Sequence, residues 1–407
     1  MTTRNCGRTN DASALRVTIG SETARLCAEQ YAGRLRSVIL TGSLARDEAT
    51  WRTDGGKARV LGDAEFLVVL ADGAPLPDAA HVQALTEHIE SDLDTLGIVC
   101  PITLSPVHAV YLRRLRPAIF AYELRTSGRP VWGDATVLSL IPAFAGSDIP
   151  LEDAWRLLCN RLVEQLEAVP GTRELSANLP EPVLYRTMKL QLDMATSLLV
   201  FVGHYEPTYR QRAARLRDLA RQQAPGDRYP FRLEPFARIV SACTEWKLEG
   251  GDGPPPEGVS WEGVIERARR LWRWELARLS GVSPELPDQA LLDAWLERQP
   301  ALERARGWLH VLRKCGWHRS WRLWPRWARL LRRGSPRYLV YSAACRLLFE
   351  LPRVEAEGSG GVPKGSAWEG LRDDLPLIRP QRQPLPWQEA AGEITWSYRE
   401  FLVGTRA

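Results

Sequence analysis

The sequence predicts an α/β part followed by a larger all-α part. Three observations lead there. Short β-branched or apolar runs bounded by turn residues recur up to about residue 134. From Pro150 onward the apolar residues return at helical spacing, as in "PLEDAWRLLCNRLVEQLEAV". Two Gly/Pro-rich breaks, "EGGDGPPPEG" (249–258) and "EGSGGVPKGS" (357–366), interrupt only the second part and read as exposed, flexible loops. Domain boundaries follow: 1–140 for the first domain and 141–407 for the helical region.

Residues 12–35 read as a helix, with Leu15, Val17, Ile19, Leu26 and Tyr31 among Arg and Glu and with Asp11 as its cap. Ser37–Thr41 is a short β-branched strand that runs into Gly42-Ser43 and a polar turn. "WRTDGGKARV" places Asp-Gly-Gly between alternating residues, which predicts a hairpin. Asp63–Leu70 is a second, stronger strand, and a helix from about Asp78 to Leu96 follows it. "IVCPITLS" is the third strand, in which Pro101 marks an edge or a bulge. "SPVHAVYLRRL" and "PAIFAYELRTSG" read as two short helices, the second stopped by Gly128, and "RPVWGD" as a last strand. The helix beyond Pro150 carries acids in its first turn and Trp155, Leu158, Leu162 and Leu166 on one face.

The bulk composition excludes several classes. With 407 residues, 44% of them hydrophobic, and a net charge of only +5, the chain is globular, large enough for two domains and nothing like a basic tail. Its seven cysteines stand singly with no Cys-x-x-Cys pair, against a disulfide framework or a structural zinc site. "MTTRNCGRTNDAS" has no apolar core of a signal peptide, and no run is long enough to span a bilayer. A cytoplasmic setting with free thiols is the expectation.

The chemistry concentrates near the first strands. Asp63 and Glu65 lie two apart on one strand, so both carboxylates point to one face while Ala64 points into the sheet. Two adjacent acids repel unless a cation sits between them. Mg²⁺ suits them, since it takes oxygen ligands and is held by one or two carboxylates plus substrate phosphates. Gly42 has no Cβ and lets a phosphate approach the backbone, and Ser43 offers a hydroxyl and an amide. Arg46 adds a guanidinium suited to phosphate oxygens. Triphosphate on one strand end and metal on the next is machinery for in-line nucleotidyl transfer.

"TGSLAR" followed by "GDAEFLVVL" resembles the signature of the DNA polymerase β superfamily of nucleotidyltransferases, over about residues 36–134. The α/β-then-α layout also looks like the antibiotic and minimal nucleotidyltransferases. The resemblance implies an α+β nucleotidyltransferase domain, a small mixed sheet flanked by helices, before the larger all-α region. It implies Gly42 and Ser43 as phosphate-binding residues, Asp63 and Glu65 as metal ligands, and Mg²⁺ with a nucleoside triphosphate, ATP first, as cofactors. The chain departs from the pattern twice. Nineteen residues lie between Ser43 and Asp63, which the hairpin would absorb. The third carboxylate expected on a following strand is replaced by Thr103, which is no base near neutral pH; Glu123 is the next acid along the chain.

In the helical part, Lys189 and Asp193 are one turn apart in "VLYRTMKLQLDMATSLLVF". Lys189 could meet phosphate and Asp193 receive a proton, completing the catalytic set, or the two form an ordinary i,i+4 pair. Tyr205, Tyr209 and Arg212 stack on a ligand or pack a helix junction. Residues 304–337 interleave Arg and Trp with few acids. They read as a face for an anionic membrane, as a nucleic-acid platform, or as core helices whose arginines cover buried rings. Arg313 and His318 match the Arg-x₄-His spacing of HEPN ribonucleases, but Gly316 inside it weakens the helix that motif needs. The expected function is transfer of a nucleoside monophosphate to a hydroxyl acceptor with release of pyrophosphate. Two alternatives stay open: a degenerate nucleotide-binding or partner-docking scaffold, and a nucleic-acid modifier.

Overall fold

The computed structural model describes residues 3–168, 179–224, 228–251, 254–315, 323–356, 371, 374–377 and 387–403. It is α+β, with small mixed sheets at the N-terminal end followed by a larger helical region. The chain divides into two compact units. The first is Met1–Pro150 with Val202–Asp218 and Val240–Pro256; the second is Leu151–Phe201, Leu219–Ile239 and Glu257–Ala407.

In the first unit, α1 (Thr3–Gln30) starts before the expected residue 12 and ends at Gln30, where a turn through Gly33 at φ +71° leads into β1 (Leu35–Thr41). Its Leu15, Ile19, Leu26 and Cys27 are buried; Val17 is 59% exposed and lies outside the core stripe. After the single turn α2 (Gly42–Ala45) comes the hairpin β2 (Trp51–Asp54) and β3 (Lys57–Val60). Gly55 and Gly56 both have positive φ, as a two-residue hairpin loop of this twist requires. β4 (Ala64–Leu70) and α3 (Ala79–Thr95) follow, with the Asp78 side chain accepting from the His81 amide as N-cap.

The predicted third strand is two strands. β5 (Ile98–Val99) runs parallel to β3, and β6 (Ile102–His108) runs parallel to β4, with Cys100-Pro101 between them. Pro101 has no N–H to continue a ladder, but its carbonyl accepts from the Ala64 amide at 2.9 Å, which carries the chain from one sheet to the other. Because β6 continues to His108, the helix expected from Ser105 shrinks to α4 (Ala109–Arg113). Next come α5 (Ile119–Ser127), ended at Gly128, and β7 (Arg129–Gly133). The main sheet has the order β6-β4-β1-β7, with β1 antiparallel to both neighbours. Val38, Leu40, Phe66 and Val68 pack on one side with Ile19, Ile89 and Leu93, while Ile39, Leu67 and Val69 pack on the other with Leu112 and Leu124. Burial of both faces explains why β4 reads as a continuous apolar run.

The second unit contains α6 (Leu151–Ala168), α7 (Glu181–Phe201), α10 (Trp261–Ser280), α11 (Asp288–Arg298), α12 (Ala301–Cys315), α13 (Trp324–Arg333), α14 (Pro336–Ala356) and α15 (Trp387–Val403). Between α7 and α10 run α8 (Tyr209–Gln222) and α9 (Leu233–Leu248). Trp155, Leu158, Leu162 and Leu166 are buried on one face of α6, and Trp261, Trp272 and Tyr341 are fully enclosed. Among the described residues no helix is long and apolar enough to cross a membrane, and six cysteines are free thiols. Burial pushes Cys27 and Cys100 up to about 12. The break at 357–366 and His318 lie outside the described residues.

Candidate active site at the strand ends

Antiparallel pairing of β1 with β4 puts the end of one beside the start of the other: Thr41 faces Glu65 in the ladder. Gly42 follows at φ +72°, the left-handed region that glycine enters without penalty. A Cβ built on Gly42 would lie 2.8 Å from Glu65 Oε2 and 3.3 Å from its Cδ. The Glu65 carboxylate therefore lies against the glycine, and a side chain at position 42 would have to push it aside. Ser43 is half-buried on the same turn.

Asp63 immediately precedes β4 and is exposed; Ala64 is fully buried and Glu65 partly so. This follows the alternation expected of the strand, and it puts the two acids on the side of Leu67 and Val69. Thr103 pairs with Glu65 in the parallel β4–β6 ladder, and its Oγ1 donates to Asp63 Oδ2 at 3.0 Å. Two carboxylates and a hydroxyl thus share one end of the sheet. This all-oxygen set fits a hard divalent cation of the Mg²⁺ type, which keeps water and substrate oxygens as its other ligands. Among the described residues no group of three or more His, Cys, Asp or Glu side chains could hold a metal ion.

Arg46 is placed differently from expectation. Its side chain is buried at 6% exposure, its Nη1 donates to Glu123 Oε2 at 2.5 Å, and its Nε lies 3.4 Å from Glu48 Oε2. Burial opposes its charge, but Glu123, Tyr209 and Glu48 outweigh burial and raise its pKa. Glu123 also accepts from Tyr205 Oη at 2.6 Å and from Arg212. Glu48, 2% exposed, accepts from the backbone amides of Tyr209 at 3.0 Å and Arg210 at 3.2 Å, so it caps the start of α8. Arg212 donates to the carbonyls of Glu206 and Pro207 and lies 5.1 Å from the centres of the Tyr205 and Tyr209 rings. Tyr205, Tyr209 and Arg212 hence form a packed junction, and Glu123 is tied into it.

The turn itself is pinned from two more directions. Asp47 has φ 60°, uncommon for a residue with a side chain. Its carboxylate is held by Arg16 from α1 and by Arg129 from β7 at 2.7 Å, while Arg129 Nε donates to the Ala45 carbonyl at 2.6 Å. Lys247, also buried, donates to Thr50 Oγ1 at 2.9 Å. In the sequence Asp47 and Glu48 read only as part of a polar turn. The run Arg46-Asp47-Glu48 directly behind the glycine was the available signal.

Lys189 and Asp193 belong to the second unit. Asp193 is 3% exposed and its partner is Arg161 of α6, which also pairs with Glu164. Burial raises the pKa of Glu164, but the charges of Arg161 and Lys189 overcome it and hold the carboxyl low. The expected Lys189–Asp193 pairing is thus replaced by bonds between helices. The same unit carries an open cleft of about 310 Å³ beside the first turn of α14. Arg156 on its wall is bound by Glu152 and by Tyr338 Oη, both at 2.6 Å, so that charge is already balanced.

No family model matches the chain, and no curated protein matches it.

Proposed function

We propose that the chain is a Mg²⁺-dependent nucleotidyltransferase of the DNA polymerase β kind. It would move a nucleoside monophosphate from a nucleoside triphosphate, ATP in the first place, to a hydroxyl acceptor and release pyrophosphate. The observation that supports this reading best is the contact of the Glu65 carboxylate with Gly42, beside Ser43 and with Asp63 on the same strand end. Asp63 and Glu65 would hold the metal, and the Gly42-Ser43 backbone would receive the triphosphate. Bound Mg²⁺ would supply neutralisation of phosphate charge and alignment of the reacting groups.

In this proposal Arg46 braces the turn through Glu48 and Glu123 and does not meet phosphate. Asp193, clasped by Arg161, is not used as a base. The chain's contribution is rigidity: the turn that carries Gly42 and Ser43 is held by Arg16, Arg129, Glu48 and Glu123, so its geometry is set before a ligand arrives. The test is pyrophosphate release with Mg²⁺ and each triphosphate, comparing wild type with Asp63→Asn and Glu65→Gln. Loss in both variants is expected; equal rates in all three proteins overturn the proposal.

One observation favours a second reading, nucleotide binding without turnover. The position that pairs with Glu65 on β6 is Thr103, whose hydroxyl is engaged by Asp63. Tight triphosphate binding by calorimetry with no pyrophosphate release would favour that scaffold role.

A further inference from the structure

The Trp/Arg-rich segment takes no part in the site above. Its buried portion is core: Trp308 and Trp327 are 4% and 5% exposed, their rings 6.0 Å apart, and each indole donates to a carbonyl, of Gly334 and Pro376 respectively. The outer surface is different. On α12, Leu302, Arg306, Leu309 and Arg313 recur at intervals of four, three and four, so they fall on one stripe, opposite the buried Trp308 and Val311. Leu302 is 61% and Leu309 40% exposed, and both arginines are exposed. On α13, Trp324, Ala328 and Leu331 form a second outward stripe, with Trp324 47% and Leu331 40% exposed and Arg332 alongside. The helices are joined by a hydrogen bond from Arg304 Nη1 to the Arg332 carbonyl at 3.1 Å.

We propose that these faces of α12 and α13 dock on an anionic lipid surface. Charge complementarity carries the choice of partner. Glu303 is the one acid in α12 and α13 has none. Among the described residues Arg306, Arg313 and Arg332 make no ion pair, so their charge is uncompensated. Large apolar side chains that stand in water between free arginines match a headgroup layer, where the apolar groups sink to the acyl boundary and the cations meet phosphates. The exposed apolar groups also separate lipid from nucleic acid. Stacking on bases needs aromatic rings, yet among the described residues three of the four large exposed apolar side chains of α12 and α13 are leucines, and Trp308 and Trp327 are enclosed. No described helix is apolar enough to cross the bilayer, so the mode is lying on the surface.

The test is flotation of the full chain with vesicles of phosphatidylcholine alone and of phosphatidylcholine mixed with phosphatidylserine, at fixed ionic strength. Binding to the mixed vesicles only is expected. Arg306→Gln/Arg313→Gln should weaken it roughly fivefold per arginine, and Leu302→Ser/Leu309→Ser by at least as much in total. Both pairs are exposed, and a circular dichroism melt checks that each variant folds. Quenching of tryptophan fluorescence by brominated lipid reports contact in the wild type without any substitution. Three results would overturn the proposal: no binding to mixed vesicles, no bromolipid quenching, or weakening by the arginine pair alone with single-stranded RNA bound equally well.

Discussion

Replacing Gly42 with alanine probes the strand-end geometry at its tightest point. The substitution has two costs. A residue with a Cβ held at φ +72° pays ~1–2 kcal/mol for the left-handed conformation. The new methyl would also stand 2.8 Å from Glu65 Oε2, too close to persist. Because that oxygen ends a flexible side chain, Glu65 swings aside, which limits the clash to ~0.5–1 kcal/mol of coupling. In urea unfolding, Gly42→Ala should lose ~1.5–3 kcal/mol in all. The second cost disappears when Glu65→Ala is present, so the double variant should be less damaged than the sum of the two single ones. Additivity of the single effects within ~0.5 kcal/mol would refute the contact.

Other consequences follow from the same framework. Glu275, fully buried, is held by Ser197 Oγ donating at 2.6 Å, and burial raises its pKa from the ordinary 4.5 to about 8. The folded carboxyl keeps its proton while the unfolded one ionises, so stability falls as pH rises from about 4.5 to about 8, by ~5 kcal/mol. Unfolding of the second unit followed at pH 5 and pH 8 should show this loss, and Glu275→Gln should remove it; an unchanged slope contradicts the assignment. Glu48→Ala strands Arg46 and two amides of α8 and should cost ~3–5 kcal/mol, with faster hydrogen exchange at Tyr209 and Arg210. Thr103→Asp sets a carboxylate beside Asp63 and should lower stability in chelator by ~1–3 kcal/mol. Mg²⁺ should restore that loss, and pyrophosphate release should rise at least ~10-fold; no response to Mg²⁺ counts against a metal at this sheet end.

Local signals in the sequence carried much of the first unit. Asp-Gly-Gly demanded positive φ and gave the hairpin, and the apolar run Phe66–Leu70 gave a strand that is covered on both sides. Alternation placed Ala64 inward, and the approach of Glu65 to Gly42 required only that β1 and β4 be neighbours. What stayed hidden depends on distant partners. Arg46 looked like a phosphate ligand because nothing nearby in sequence reveals Glu123, which is 77 residues away. Helical spacing leaves Lys189 and Asp193 either as a site pair or as an ordinary i,i+4 pair, whereas packing of α6 on α7 gives Asp193 Arg161 as its partner. Pro101 marks an edge or a bulge of one strand in the sequence, whereas its missing N–H and bonded carbonyl separate two strands in two sheets.

Cation binding at the sheet end tests the central claim most directly. Mn²⁺, which accepts the same oxygen ligands as Mg²⁺, can be titrated by electron paramagnetic resonance with a non-hydrolysable triphosphate present. If Asp63 and Glu65 hold the metal, wild type shows one Mn²⁺ site that is lost in both Asp63→Asn and Glu65→Gln. Undiminished Mn²⁺ binding in those two variants would contradict it.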